Sequence, residues 1–158
     1  MADAGIVERD SLPLGPNGRP LCRWCQMEIL AKRRRTFCSD YCVHQWRLRS
    51  DPGYLREKVL QRDKAVCAAC GVDCHAAWLH LKRSRGAARL KAYIEWGLRP
   101  GSRKSLWDAD HIVPVVEGGG ECDLANIRTL CLKCHRAATQ ELRKRRVKQA
   151  AASGSTEG

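Results

Sequence analysis

The chain of 158 residues contains a single Phe and no apolar run near the ~18 residues that a membrane span requires. Its first twenty residues lack the apolar stretch of a secretory signal. They are polar, punctuated by Pro13, Pro16, Gly18 and Pro20, and predict a disordered lead-in over residues 1–20. Membrane and secreted classes are thereby set aside, and the expectation is an intracellular protein of the cytoplasm or nucleus. The hydrophobic fraction of 44% draws heavily on Ala and Cys, which argues against one large core. Small units held together by metal are the usual alternative. Acidic residues are also scarce, with 17 Asp and Glu against 29 Lys and Arg, for a formal net charge of +12. Basic stretches recur at residues 32–35, 82–91 and 143–148, the pattern expected for a phosphate-backbone partner.

Cysteine is what the chain has in excess: ten of them. In a reducing compartment closely paired cysteines indicate metal rather than disulfides. Cys22-x-x-Cys25 and Cys38-x-x-x-Cys42 are separated by a short basic loop, the layout of a structural four-cysteine zinc site. Cys67-x-x-Cys70-Gly71 is a second metal knuckle, with a glycine to close its turn. Its partners are expected to be Cys131 and Cys134, which form a CxxC of their own; Cys74 and His75 are the open alternative. Cys122, beside Cys74, reads as a buried or free thiol. Two such sites would each carry about −2, leaving a net charge of roughly +8.

Between these landmarks the spacing predicts a helix over residues 43–49, a turn at 51–53 and a helix over 54–63. Residues 76–98 predict two helices broken near Ser84, Arg85 and Gly86. Residues 106–116 read as a strand, 118–120 as a glycine loop, 127–130 as a second strand, and the chain from Cys134 as a basic helix. The expected organisation is a four-cysteine zinc module over 21–50 and a second domain over 51–148. The latter holds a helical insertion (75–105) and a strand-strand-helix core (106–148), and a disordered tail follows over 149–158.

The densest chemistry lies in this last core. Asp110-His111-Ile112-Val113-Pro114 is followed by Gly118-Gly119-Gly120, Asn126 and Cys131-Leu132-Lys133-Cys134-His135. This order resembles the HNH endonucleases, with His111, Asn126 and His135 on the three letters of the name. A closer likeness, over roughly residues 21–140, is to the nuclease module of annealing helicases that carry a RAN-binding-type zinc finger. The resemblance implies an α+β, zinc-stabilised protein with a ββα-metal core. It also implies a metal-dependent endonuclease that leaves 5′-phosphate and 3′-hydroxyl ends on DNA, double-stranded or structured.

The residues suit the roles the resemblance implies. His111, with an ordinary pKa of about 6.5, is suited to take a proton from water. Asp110 and His135 offer hard oxygen and nitrogen donors for one Mg²⁺ or Mn²⁺. On a regular strand Asp110 and His111 point to opposite faces, so the chain must bend there, with Asn126 bridging the loop through its amide. Asp108 shares Asp110's face and reads as a solvated carboxylate, or as one reaching the ion through water. Arg128, Lys133 and Arg136 are candidate phosphate contacts. The alternative is a non-catalytic zinc-stabilised DNA-binding module on the same scaffold. Monomer and weak dimer stay open.

Overall fold

A computed structural model of the chain describes residues 7–120 and 123–153; Cys122, residues 1–6 of the lead-in and residues 154–158 of the tail lie outside these. The elements run α1 (Asp40–Ser50), α2 (Pro52–Asp63), α3 (Cys74–Arg83), α4 (Gly86–Glu95), β1 (Trp107–His111), β2 (Ile127–Cys131) and α5 (Leu132–Ser153). This is a small α+β fold whose one sheet, among the described residues, is the antiparallel pair β1–β2. No described helix is long and apolar enough to cross a membrane.

The chain divides into two compact units, Met1–Lys58 with Val113–Asn126, and Val59–Ile112 with Ile127–Gly158.

In the first unit Leu12, Cys22, Ile29 and Cys42 form a buried cluster, with Trp24, Phe37 and Cys38 packed against it. Leu12 lies within the stretch expected to be a disordered lead-in. Residues 9–11 make a 3-10 turn, and Leu14 bridges to Pro20, so the module begins upstream of Leu21. Val7 also packs on the cluster, and the Asn17 amides donate to the Glu28 carboxylate, so apolar and polar contacts together hold the stretch. Helix α1 starts where Ser39 Oγ accepts from the Cys42 amide, and Asp40 complements the positive end of the helix. His44, within α1, shares a 2.8 Å hydrogen bond with the Tyr54 hydroxyl.

In the second unit the buried side chains Val59, Leu81, Leu106, Ile127 and Leu130 form a modest apolar core. Asp73 caps α3 by accepting from the His75 and Ala76 amides. The expected break near Ser84 separates α3 from α4. Strand β1 stops at His111, short of the expected 116, because Pro114 follows and a 3-10 turn forms over Val115–Glu117. Helix α5 starts at Leu132 and runs to Ser153, past the expected end of structure at 148. It packs on both strands.

Asp63, at the end of α2, ties that helix to the sheet. Its carboxylate accepts from the Thr129 amide at 3.1 Å and from the Thr129 hydroxyl at 2.9 Å. Arg62 pairs with it and also donates to the Ile127 carbonyl. The Arg62 guanidinium, with help from Thr129, holds the Asp63 carboxyl below its usual range.

Candidate active site

Two four-cysteine clusters stand out: Cys22, Cys25, Cys38 and Cys42, and Cys67, Cys70, Cys131 and Cys134. Within each, the sulfurs all lie within 4.8 Å of one another. Neighbouring Sγ atoms are 3.4 Å apart for Cys38 and Cys42, 3.5 Å for Cys25 and Cys38, and 3.8 Å for Cys70 and Cys131. Four sulfurs about 2.3 Å from a tetrahedral zinc are separated by about 3.8 Å, whereas a disulfide needs about 2 Å. The donor sets therefore fit zinc. Cys74 takes no part in either cluster. Its buried sulfur contacts the Val72 carbonyl at 3.7 Å, and burial, with the charge of the nearby cysteines, pushes its thiol up to about 12.

The protonation chemistry of the clusters points the same way. Burial alone would raise the Cys22 thiol, yet the backbone amides of Cys25, Cys38 and Trp24 bring it down to about 6. Cys67 is likewise lowered to about 6 against burial by the amides of Cys131, Cys70 and Ala69. In the same clusters Cys38 is pushed up to about 12 by its neighbour Cys42 and by burial, and Cys134 is pushed up by burial and by the surrounding sulfurs. One thiolate is favoured in each cluster, while Cys38 and Cys42 in the first and Cys70 and Cys134 in the second are raised.

The second cluster adjoins the hairpin through Cys131 at the end of β2 and Cys134 in α5. In β1–β2 the pairs are Asp110↔Arg128 and Asp108↔Leu130 on one face, and Trp107↔Cys131, Ala109↔Thr129 and His111↔Ile127 on the other. Cys134 and His135 are consecutive in the first turn of α5, about 100° apart around its axis. Cys134 joins the sulfur cluster, and His135 turns to the hairpin: its Nε2 lies 3.5 Å from Asp110 Oδ1. Asp110 and His135, expected at one ion, are thus adjacent, whereas His111 pairs with Ile127 on the opposite face of β1, so the bend expected between Asp110 and His111 is not present.

Asp108 is not the solvated carboxylate expected. It is 19% exposed, accepts from Arg103 at 2.7 and 2.8 Å, and sits 3.5 Å from His135 Nδ1. The signal for it was its two-residue spacing from Asp110; nothing in the sequence marked Arg103.

His111 is partly buried at the end of β1, and its Nε2 has no hydrogen-bond partner among the described residues. A buried ring nitrogen in that state calls for a water or a ligand group. Immediately downstream, Asn126 holds the loop at both ends. Its Oδ1 accepts from the Val113 amide at 2.8 Å, and its Nδ2 donates to the Val113 carbonyl at 2.9 Å and to the Gly119 carbonyl. Gly119 is required there for space, since a Cβ would stand 1.8 Å from the Val113 carbonyl oxygen.

The three basic residues expected at phosphates have protein partners. Arg128 is 3.4 Å from Asp110, Arg136 donates to the Trp96 carbonyl, and Lys133 lies over the Trp96 ring at 4.9 Å.

Known proteins are similar to this chain in sequence and fold. The sequence pattern described as HNH endonuclease matches residues 98–141, spanning β1, the loop, β2 and the start of α5. The chain is 36% identical over 149 residues to the "DNA annealing helicase and endonuclease ZRANB3" of Mus musculus, and 32% identical to that of Homo sapiens. Each alignment covers 82% of this chain and 14% of the relative, so the chain corresponds to about one seventh of those proteins' length. The crystal structure of the human ZRANB3 HNH domain superimposes with a TM-score of 0.51 at 32% identity, covering 97% of that domain and 65% of this chain. With the hairpin, the pinned loop, the cysteine-anchored histidine and a solved HNH domain covered almost end to end, this chain belongs to the HNH endonuclease family.

Proposed function

We propose that the chain is a metal-dependent endonuclease that nicks or cuts DNA, with Asp110 and His135 holding one Mg²⁺ or Mn²⁺ and both cysteine clusters holding zinc. The observation that carries this reading is the 3.5 Å approach of Asp110 Oδ1 to His135 Nε2, beside His111 in the chain. Two donors about 2.1 Å from one octahedral ion stand about 3 Å apart, so a shift of about half an ångström suffices. When bound, the ion stabilises the charge that develops on the scissile phosphate and on the leaving 3′-oxygen.

The remaining work belongs to the chain. His111 would accept the proton of the attacking water through its unpartnered Nε2, a role that requires the end of β1 to turn His111 toward the face of Asp110 and His135. Asn126 keeps the segment that follows His111 in one shape. Asp110 has Arg128 as its counter-ion at 3.4 Å. With an ion held by Asp110, the Arg128 guanidinium would be released to a phosphate oxygen, and Lys133 and Arg136 would add backbone contacts on leaving Trp96. The net charge of +12 supports DNA as the partner, and thiolate ligands suit a reducing, intracellular setting. One such site cuts one strand at a time.

Cleavage of supercoiled plasmid tests the reading, with Mg²⁺ or Mn²⁺, with EDTA, and with His111→Ala. We expect metal-dependent nicking that falls by about 10²–10⁴-fold in the variant, with zinc content and melting temperature unchanged. Cleavage by His111→Ala at near wild-type rate removes His111 as the base. Salt-sensitive DNA binding with no cutting under either metal favours a non-catalytic binding module instead.

A further inference from the structure

His135 stands between two carboxylates, one at each ring nitrogen. Nε2 faces Asp110 Oδ1 at 3.5 Å, and Nδ1 faces Asp108 Oδ2 at 3.5 Å. Both carboxylates project from the same face of β1, because Ala109 separates them. A neutral imidazole offers a lone pair at only one nitrogen. Which nitrogen is free to bind an ion is decided by what the other N–H meets. Here the group facing Nδ1 is an acceptor that is itself held in place: Arg103 Nη1 reaches both oxygens of Asp108, at 2.7 and 2.8 Å, and the carboxylate is 19% exposed.

We propose that Asp108 is a positioning residue. It accepts the Nδ1–H of His135, so that the Nε2 lone pair is directed toward Asp110, and Arg103 fixes the Asp108 carboxylate for that task. The inference rests on the reading that Asp110 and His135 hold the catalytic ion. Geometry separates the role from direct ligation. The two nitrogens of an imidazole point away from each other, so an ion on Nε2 lies on the side of the ring away from Asp108. The Arg103 guanidinium also already engages both Asp108 oxygens. A carboxylate behind a ligating histidine fixes its tautomer and raises its basicity, and losing one typically weakens metal affinity about 10–100-fold.

The test is Mn²⁺ titration by calorimetry on wild type, Asp108→Ala, Asp108→Asn, Arg103→Gln, Asp110→Ala and His135→Ala, with zinc content and melting temperature measured in parallel. Two-bond ¹H–¹⁵N spectra of the His135 ring report its tautomer without metal. We expect His135 to carry its proton on Nδ1 in wild type and to populate both tautomers in Asp108→Ala. Mn²⁺ affinity should fall about 10–100-fold in Asp108→Ala. It should fall less in Asp108→Asn, which keeps an acceptor, and less again in Arg103→Gln. Turnover should drop while the KM for plasmid stays put.

Wild-type affinity and tautomer in Asp108→Ala would overturn the proposal while leaving the metal site intact. So would complete loss of Mn²⁺ binding, equal to that of Asp110→Ala, which would make Asp108 a direct ligand. Absence of an Asp110- and His135-dependent Mn²⁺ site in wild type would overturn the site reading itself, and this inference with it. Should Asp108→Ala not fold, Arg103→Gln decides through the same two readouts.

Discussion

The two cysteine clusters use the same chemistry at different reach. In the first, the contacts that close the site span 13 and 16 positions, from Cys25 to Cys38 and from Cys22 to Cys38. In the second, Cys70 meets Cys131 across 61 positions. A site closed locally makes a module. A site closed over that distance determines how a domain is assembled, because everything between its ends, α3, α4 and β1, must be accommodated before the four sulfurs meet. The second cluster also adjoins the chemistry, since Cys134 and His135 share one helical turn. Their knuckles differ in a smaller way. The residue after each CxxC occupies the left-handed region: Gly71 at φ 71° in the second cluster, and Gln26 at φ 60° in the first. Glycine adopts that conformation freely and glutamine does not.

The comparison is most directly broken by cutting one thiol from each cluster. Cys131→Ser should lose one equivalent of zinc and the cooperative unfolding transition of the second unit, because four-thiolate zinc contributes folding free energy directly. Cys22→Ser should lose one zinc as well, yet leave the second unit's transition in place. Metal analysis and calorimetry on both variants check this, and a shared loss of all structure would mean that the clusters do not act independently.

Gly119→Ala should have the next largest effect. The added methyl meets the Val113 carbonyl, so the loop held by Asn126 must shift, at a cost of about 1–3 kcal/mol. Nicking should fall with it while the zinc content of both clusters holds. The smallest expected change sharpens the contrast between the knuckles. Gln26→Gly should stabilise the first unit by up to about 1 kcal/mol in chemical denaturation. An unchanged midpoint would show that Gln26 bears no strain.

Legibility in the sequence followed the range of the interaction that decides each feature. The cysteine pairs and the paired helices of residues 76–98 could be read from spacing, because turn geometry and helical periodicity are local, whereas Asn126 was marked by the family resemblance. The alternation of Asp108, Ala109 and Asp110 also foretold the shared face. Features settled by distant partners were read less well. Leu12 looked like part of a polar leader because its burial depends on Ile29 and the cysteines. Asp108 looked solvated although its partner Arg103 is only five positions away, because the loop between them follows no helix or strand spacing. Arg128 and Arg136 read as candidate phosphate contacts, yet one faces Asp110 and the other the Trp96 carbonyl. Asp63 gave no sign of joining α2 to the Thr129 position of β2.

The sequence by itself determined the chemical inventory: two sets of soft sulfur donors, a hard Asp–His pair, a candidate base next to it and an excess of positive charge. Residue type and short spacing are enough for that. Only the tertiary structure decided between Cys131 with Cys134 and the alternative Cys74 with His75, where β1 ends, and that His135 lies between Asp108 and Asp110. Those outcomes depend on the antiparallel register and on packing of α5 against the hairpin, and no local pattern encodes a contact across sixty-one positions.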